Sequence, residues 1–142
     1  MNIIQANQTH RQAIIELLKT EKLPVEDLPG NLDHFFVASM DGDVIGAIGL
    51  EQYPPFGLLR SMVVRKDYRN QKVAAALVET QEKHASRLKI DWIYLLTETA
   101  STYFTKKGYK PVERLEVPDA IQQSTEFSSV CPVSAIVMKK AL

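Results

Sequence analysis

Between Val63 and Glu79 the chain reads VVRKDYRNQKVAAALVE, a strand that runs through a basic turn into a helix. Four of the seven residues from Arg65 to Gln71 are charged, and the helix behind them opens on Val73, Ala74 and Ala75, almost without side chains. The first amides of a helix have no intrahelical partner and together carry about half a positive charge. With Arg69 and Lys72 adding side-chain charge, such a turn can hold a phosphate or pyrophosphate, each charged hydrogen bond contributing roughly 1.5–3 kcal/mol. The competing reading is an ordinary strand-to-helix turn with solvated charges. The turn contains no glycine, the residue that allows the closest approach of backbone to an anion.

The whole chain bounds what this turn can serve. Its 142 residues fit one domain, 1–142, with 45% hydrophobic and 24% charged residues, as in an ordinary globular protein. Seventeen basic residues balance seventeen acidic ones, so no global field draws nucleic acid or a membrane surface, and any anion site is local. The polar N-terminus MNIIQANQTHRQ lacks the apolar core of a secretory signal, and no apolar run reaches ~18 residues. The single cysteine, Cys131, excludes an internal disulfide and fits a reducing cytoplasm. His10, His34 and His84 stand far apart in sequence without acidic or thiol partners at ligand spacing, so no metal site is expected.

The elements that would position the turn follow in order. MNIIQAN reads as a strand; Thr9 offers an N-cap with Gln12 at capping-box spacing, and Ala13, Ile14, Leu17 and Leu18 give the helix its apolar face. EKLPVEDLPGN is a loop with at most one helical turn after Pro24. HFFVASM and VIGAIGLEQY flank DGD, a strong hairpin signal, and LLRSMVV follows the break at YPPFG. A helix carrying Val73, Leu77, Ala85 and Leu88 on one stripe leads to the strand DWIYLLTE, then to a short helix stopped by Gly108. YKPVER and SAIVMKK are two last strands, with Pro118 placed to open a helix between them. The strand-helix-strand unit must cross over, making LLRSMVV and DWIYLL parallel neighbours. The expected fold is therefore α/β (α+β): a mixed, mostly antiparallel sheet of about six to seven strands with helices on both faces.

The stretch VVRKDYRNQKVAAALVE resembles the acetyl-CoA-binding segment of GNAT superfamily N-acetyltransferases. There an Arg or Gln, two free positions, a Gly, one free position and a Gly or Ala cradle the pyrophosphate; Arg69, Asn70, Gln71, Lys72, Val73 and Ala74 fall on that pattern. TASTYFTKKGY resembles the second cofactor segment of that family, and the strand order is similar throughout. LPVEDL, IGLEQY, LLRSMVV, LLTETAS and TEFSSVCPVSA are similar, in the same order, to the arsenic-resistance-associated N-acetyltransferase branch. The resemblance implies acetyl-CoA as co-substrate and no metal. It also implies a small amine as acceptor, attacked directly in a ternary complex, and strand backbone at Met62, Val63 and Val64 pairing with the pantetheine arm. A homodimer is left open. Two departures stand out. The family's Gly falls at Lys72, and a second frequent Gly falls at Asn70, the non-glycine type most at ease with positive φ.

Acetyl transfer to an amine requires loss of a proton from the amine, polarisation of the thioester carbonyl and departure of the thiolate. The resemblance places a general-acid Tyr four residues before the Gly of the last helix; here that residue is Phe104, with Tyr103 one step earlier as the catalytic candidate. A frequent cofactor-contacting Asn falls at Thr97. For the base, alternation puts Glu51 at the end of its strand, beside PPFG, where a carboxylate can accept a proton directly or through water. Glu98 and Glu126 are alternatives. Arg60 either neutralises Glu51, grips a substrate carboxylate or is simply solvated. Ser61, Phe127 and Cys131 complete the expected acceptor side, Cys131 reading either as a small hydrophobe or as a thiol contact to substrate. The rival reading is a non-catalytic acyl-CoA-binding or regulatory domain that keeps the fold.

Overall fold

A computed structural model describes residues 1–125, 127 and 134–142. Its strands are β1 (Asn2–Gln5), β2 (Phe35–Met40), β3 (Asp43–Tyr53), β4 (Phe56–Val64), β5 (Trp92–Thr97), β6 (Lys110–Pro111) and β7 (Ile136–Ala141). Its helices are α1 (Arg11–Thr20), α2 (Val73–Arg87), α3 (Ser101–Lys106) and α4 (Asp119–Gln122). The seven strands form one sheet in the order β1-β2-β3-β4-β5-β7-β6, antiparallel except for β4 beside β5. The sheet, the crossover and the hairpin are those expected from the sequence. At the β2–β3 turn Asp41 and Gly42 take φ of 52° and 84°, the twist that matches flanking right-handed strands.

Helices cover both faces because the strands are apolar on both. Ile14, Leu17 and Leu18 of α1 pack with Phe35, Val37, Ala47 and Val63, while Val73, Leu77 and Ala85 of α2 pack with Ile45, Ile48 and Ile93 on the other face. A smaller cluster puts Ile121 of α4 against Leu58, Tyr94 and Val137. No described helix is long and apolar enough to cross a membrane.

Three local expectations change. The first helical segment is capped by Asn7, not Thr9: Asn7 Oδ1 accepts from the Thr9 amide (2.9 Å) and His10 Nδ1 accepts from the Asn7 amide (3.0 Å). This box closes one 3-10 turn, Gln8–His10, before α1, and His replaces the Glu or Gln that usually marks it. The stripe on α2 turns on Gln81, fully buried, whose Nε2 donates to the His34 carbonyl (2.9 Å), whereas Leu88 lies beyond the helix end and is only partly buried. YKPVER contributes only Lys110–Pro111 to the sheet edge, where a missing Pro N–H costs nothing.

The feature that makes a site is the divergence of β4 from β5. Their pairing covers only Phe56–Trp92, Gly57–Ile93 and Leu58–Tyr94, although β5 pairs along its other edge with β7 from Trp92 to Thr97. On the β3 side of β4, Ala47 faces Val63 but Gly49 faces Arg60, so Ile48 opposes two residues, Ser61 and Met62. Ser61 carries the bulge at φ 55°. A bulge bends its strand and breaks the ladder locally. Beyond Leu58 and Tyr94 the two strands open as a wedge.

Candidate active site

The wedge continues into a cavity of about 940 Å³. Leu59–Val64 of β4 and Leu95–Thr97 of β5 form its walls, the start of α2 stands at one end, and the segment after α1 with α3 closes the sides.

The turn into α2 gets its shape from two residues in the left-handed region, Asn70 (φ 63°) and Lys72 (φ 66°, ψ 16°), the two positions where the resemblance leads one to look for glycine. A left-handed conformation costs an L-residue roughly 1–2 kcal/mol, less for Asn. Lys72 is the N-cap of α2 and supplies no side-chain cap bond, so the opening amides of the helix stay open toward the cavity that Lys72, Val73, Ala74 and Ala75 line. A glycine at this position is expected to stabilise the fold by about 0.5–1 kcal/mol, the relieved strain less the added freedom of the unfolded chain. Ala, equally strained, should leave stability where Lys puts it. Urea unfolding of Lys72→Gly and Lys72→Ala checks this; equal midpoints for Gly and Ala would contradict it.

The turn's cations divide. Arg65 is paired with Asp67 (2.8 Å) and lies over the Tyr68 ring (4.9 Å), off the cavity. Arg69 lines the cavity and is bonded to Glu21, at the end of α1. Lys72 has no ion pair among the described residues. Gln71 turns back to the Asp67 carbonyl (3.3 Å) and is not part of the wall. Lys22 and Lys107 add charge to Arg69 and Lys72 against the carboxylates of Glu21 and Glu98, so the charged side chains on this largely apolar wall are mostly cations although the chain as a whole is neutral.

On the β5 and α3 side, Thr97 faces the cavity while its Oγ1 accepts from the Ala100 amide (2.9 Å) and so fixes the turn into α3. Phe104 is buried between Tyr103 and Tyr109, edge to face with both. Tyr103 lines the cavity, but its hydroxyl is buried without a hydrogen-bond partner among the described residues. Burial, and secondly the charge of Glu82, push that hydroxyl's pKa up, so it keeps its proton at neutral pH.

On the acceptor side Arg60 is only 4% exposed and forks between two carboxylates. Nη1 donates to Glu51 Oε2 (2.6 Å), Nη2 to Asp27 Oδ1 (2.7 Å) and Nε to Ser61 Oγ (3.1 Å). The Tyr53 hydroxyl donates to the other Glu51 oxygen (2.6 Å); burial first, then the bond to Glu51, raise its pKa. Of the readings open for Arg60, the structure holds the pairing with Glu51. Arg60 and Ser61 line the cavity, whereas Glu51 stands behind Arg60. Phe127 lies under the Arg114 guanidinium (5.1 Å), away from the wall. Glu126 and Cys131 fall outside the described residues.

Sequence reasoning did not find Glu21 to Pro24, which close the cavity from the loop after α1, nor Lys107, just beyond the end of α3. Neither segment carries a spacing signal; Pro24 alone marks the loop. It also missed that His34 and His84 meet across the fold, Nδ1 to Nε2 at 3.0 Å, with Gln52 on the outer His34 nitrogen (2.6 Å). Among the described residues no group of three or more His, Cys, Asp or Glu could hold a metal ion.

Comparison with known proteins bears on this geometry. The model of the acetyltransferase (GNAT) domain matches residues 31–111, which run from before β2 through β6. An uncharacterised N-acetyltransferase of Chlorobaculum tepidum is 32% identical over 101 residues, covering 70% of this chain and 64% of that protein. The amino-acid acetyltransferase of Pasteurella multocida is 26% identical over 104 residues, 72% of this chain but 24% of its own length. The chain thus spans less than two thirds of these curated relatives. The structure of Rv2747 from Mycobacterium tuberculosis, in complex with CoA, superposes with a TM-score of 0.86 at 22% identity, covering 100% of this chain and 99% of the other.

Proposed function

The chain belongs to the GNAT family of acetyltransferases, and on that premise we propose that it moves the acetyl group of acetyl-CoA to the amine of a small molecule by direct attack in a ternary complex. The observation that carries the reading is the conjunction at the head of the wedge. Uncapped helix amides, two left-handed residues and Lys72, a cation with no ion pair among the described residues, meet where β4 and β5 part. The α2 amides with Arg69 and Lys72 hold the pyrophosphate, and the β4 edge from Met62 to Val64 offers backbone to the pantetheine arm. The bulge at Ser61 turns that edge toward the place where the thioester carbonyl would lie.

Amino acids head the list of acceptors, because several relatives are amino-acid acetyltransferases. The arsenic-resistance-associated reading rests on the five sequence blocks alone. For the base we retain Glu51, acting through water: each of its oxygens accepts one hydrogen bond in the network and keeps a second lone pair. Glu98, on the cavity wall, is the competing carboxylate. The buried Tyr103 hydroxyl and the core position of Phe104 favour a second reading, a CoA-binding domain without turnover. Against it, a thiolate whose thiol pKa is near 8.5 leaves without a donor.

Calorimetric titration with acetyl-CoA is expected to show binding that weakens with salt and falls about tenfold in Arg69→Ala and in Lys72→Ala, one charge-assisted bond each. Absence of heat at millimolar cofactor would refute the cofactor assignment. Release of free thiol on a panel of amino acids and other amines separates enzyme from binding domain.

A further inference from the structure

At the mouth of the cavity the residue just beyond α1 meets the turn that opens α2. Arg69 Nη2 donates to Glu21 Oε1 across 48 residues of sequence, and both side chains line the cavity. Their surroundings differ. The Arg69 side chain is 46% exposed, whereas that of Glu21 is 19% exposed and its Oε2 is buried with no hydrogen-bond partner among the described residues. Arg69 therefore supplies the countercharge of a carboxylate that is otherwise poorly solvated.

We infer that Glu21 is a latch on the cofactor cation: it holds Arg69 beside the cavity and must yield it before a diphosphate can settle on the start of α2. The inference rests on the acetyl-CoA reading for the identity of that diphosphate. The physics is competition for one guanidinium. Asn70 and Lys72 fix the backbone on either side of Gln71 in the left-handed region, so the turn itself is set, and what remains to be exchanged is the partner of Arg69. If Arg69 turns to phosphate, Glu21 is left as a largely buried carboxylate without its countercharge, an unfavourable state. Lys22, next in sequence and also on the wall, is the available replacement, and it forms no ion pair among the described residues. Cofactor affinity is thus set below what the turn could deliver, and Glu21 sets it through Arg69.

The test is a cycle of four proteins, wild type, Glu21→Gln, Arg69→Ala and the double variant, titrated with CoA and separately with inorganic pyrophosphate. Glu21→Gln is expected to bind CoA about tenfold more tightly than wild type, with the gain shrinking to twofold or less when Arg69 is already Ala. The glutamine variant should also show a steeper salt dependence, since Arg69 then faces the phosphates alone. Should Glu21→Gln fold poorly, Glu21→Ala makes the same comparison. An equal gain in both Arg69 backgrounds would mean that Glu21 acts only as a distant charge, and weaker binding by Glu21→Gln would make it a support for Arg69; either result overturns the latch. If no variant binds CoA while pyrophosphate still shows the Arg69-dependent gain, the latch stands and the acetyl-CoA reading falls. If neither probe binds any variant, both fall.

Discussion

Replacing Arg60 with Ala is expected to lower the unfolding free energy by about 3–5 kcal/mol, the cost of leaving buried charge uncompensated. Arg60 is almost fully buried, the Asp27 side chain beside it is 4% exposed and that of Glu51 is 23% exposed. Both carboxylates are ligated by the same guanidinium, one from each fork, and Asp27 Oδ2 already has no hydrogen-bond partner among the described residues. Removing the cation strands both, and also frees the middle of β4 from the loop that carries Asp27, 33 residues away. Lys at this position keeps one charge but cannot reach both carboxylates with a planar fork, so Arg60→Lys should recover only part of the loss. Replacing Arg60, Asp27 and Glu51 together by apolar residues should cost less than Arg60→Ala alone, because no charge is then left buried. Urea midpoints with constant slope give the comparison. A loss below 1 kcal/mol for Arg60→Ala would show that the three groups are solvated on unfolding and in the fold alike.

The same cluster shows where sequence reasoning reaches and where it stops. Local chemistry was legible: Asp41-Gly42 demands positive φ, Gly108 (φ 97°) ends α3, and a helix between two strands forces β4 and β5 to be parallel. Resemblance supplied one further position: a family glycine at Asn70 pointed to positive φ, which Asn70 adopts, whereas at Lys72 the missing glycine signalled only lost room for phosphate, and the left-handed backbone there is a finding of the structure. The bulge at Ser61 was not legible, because a left-handed serine leaves no mark in sequence and its register appears only against Ala47 and Gly49. Nor was Gln81, a polar residue on an apolar stripe, whose partner is a carbonyl 47 residues away. Glu51 was placed correctly at a strand end, yet its surroundings depend on Arg60, Asp27 and Tyr53 meeting in space. Long-range polar contacts of this kind have no period.

Glu51→Gln is expected to lower turnover by about 10²–10⁴-fold near neutral pH, on the best acceptor that the amine panel returns, while changing cofactor affinity little. Glutamine keeps an oxygen for Arg60 or for the Tyr53 hydroxyl but presents an N–H₂ donor to the other, so part of the network is lost along with the base. Two controls separate these effects. Tyr53→Phe removes one hydrogen bond and leaves the carboxylate; it should disturb the network without removing the proton acceptor, and its rate should fall far less than that of Glu51→Gln. Glu98→Gln removes the competing carboxylate on the wall and should stay within about threefold of wild type if Glu51 is the base. If instead Glu98→Gln carries the large loss, the proton leaves by the cavity wall, and Glu51 serves only to hold Arg60. Rates unchanged in both Glu51→Gln and Glu98→Gln would assign the proton to water. The geometry supports the first outcome for one reason: Glu51 and Ser61 are bound to the same Arg60, and Ser61 is the residue at which β4 bends toward the wedge.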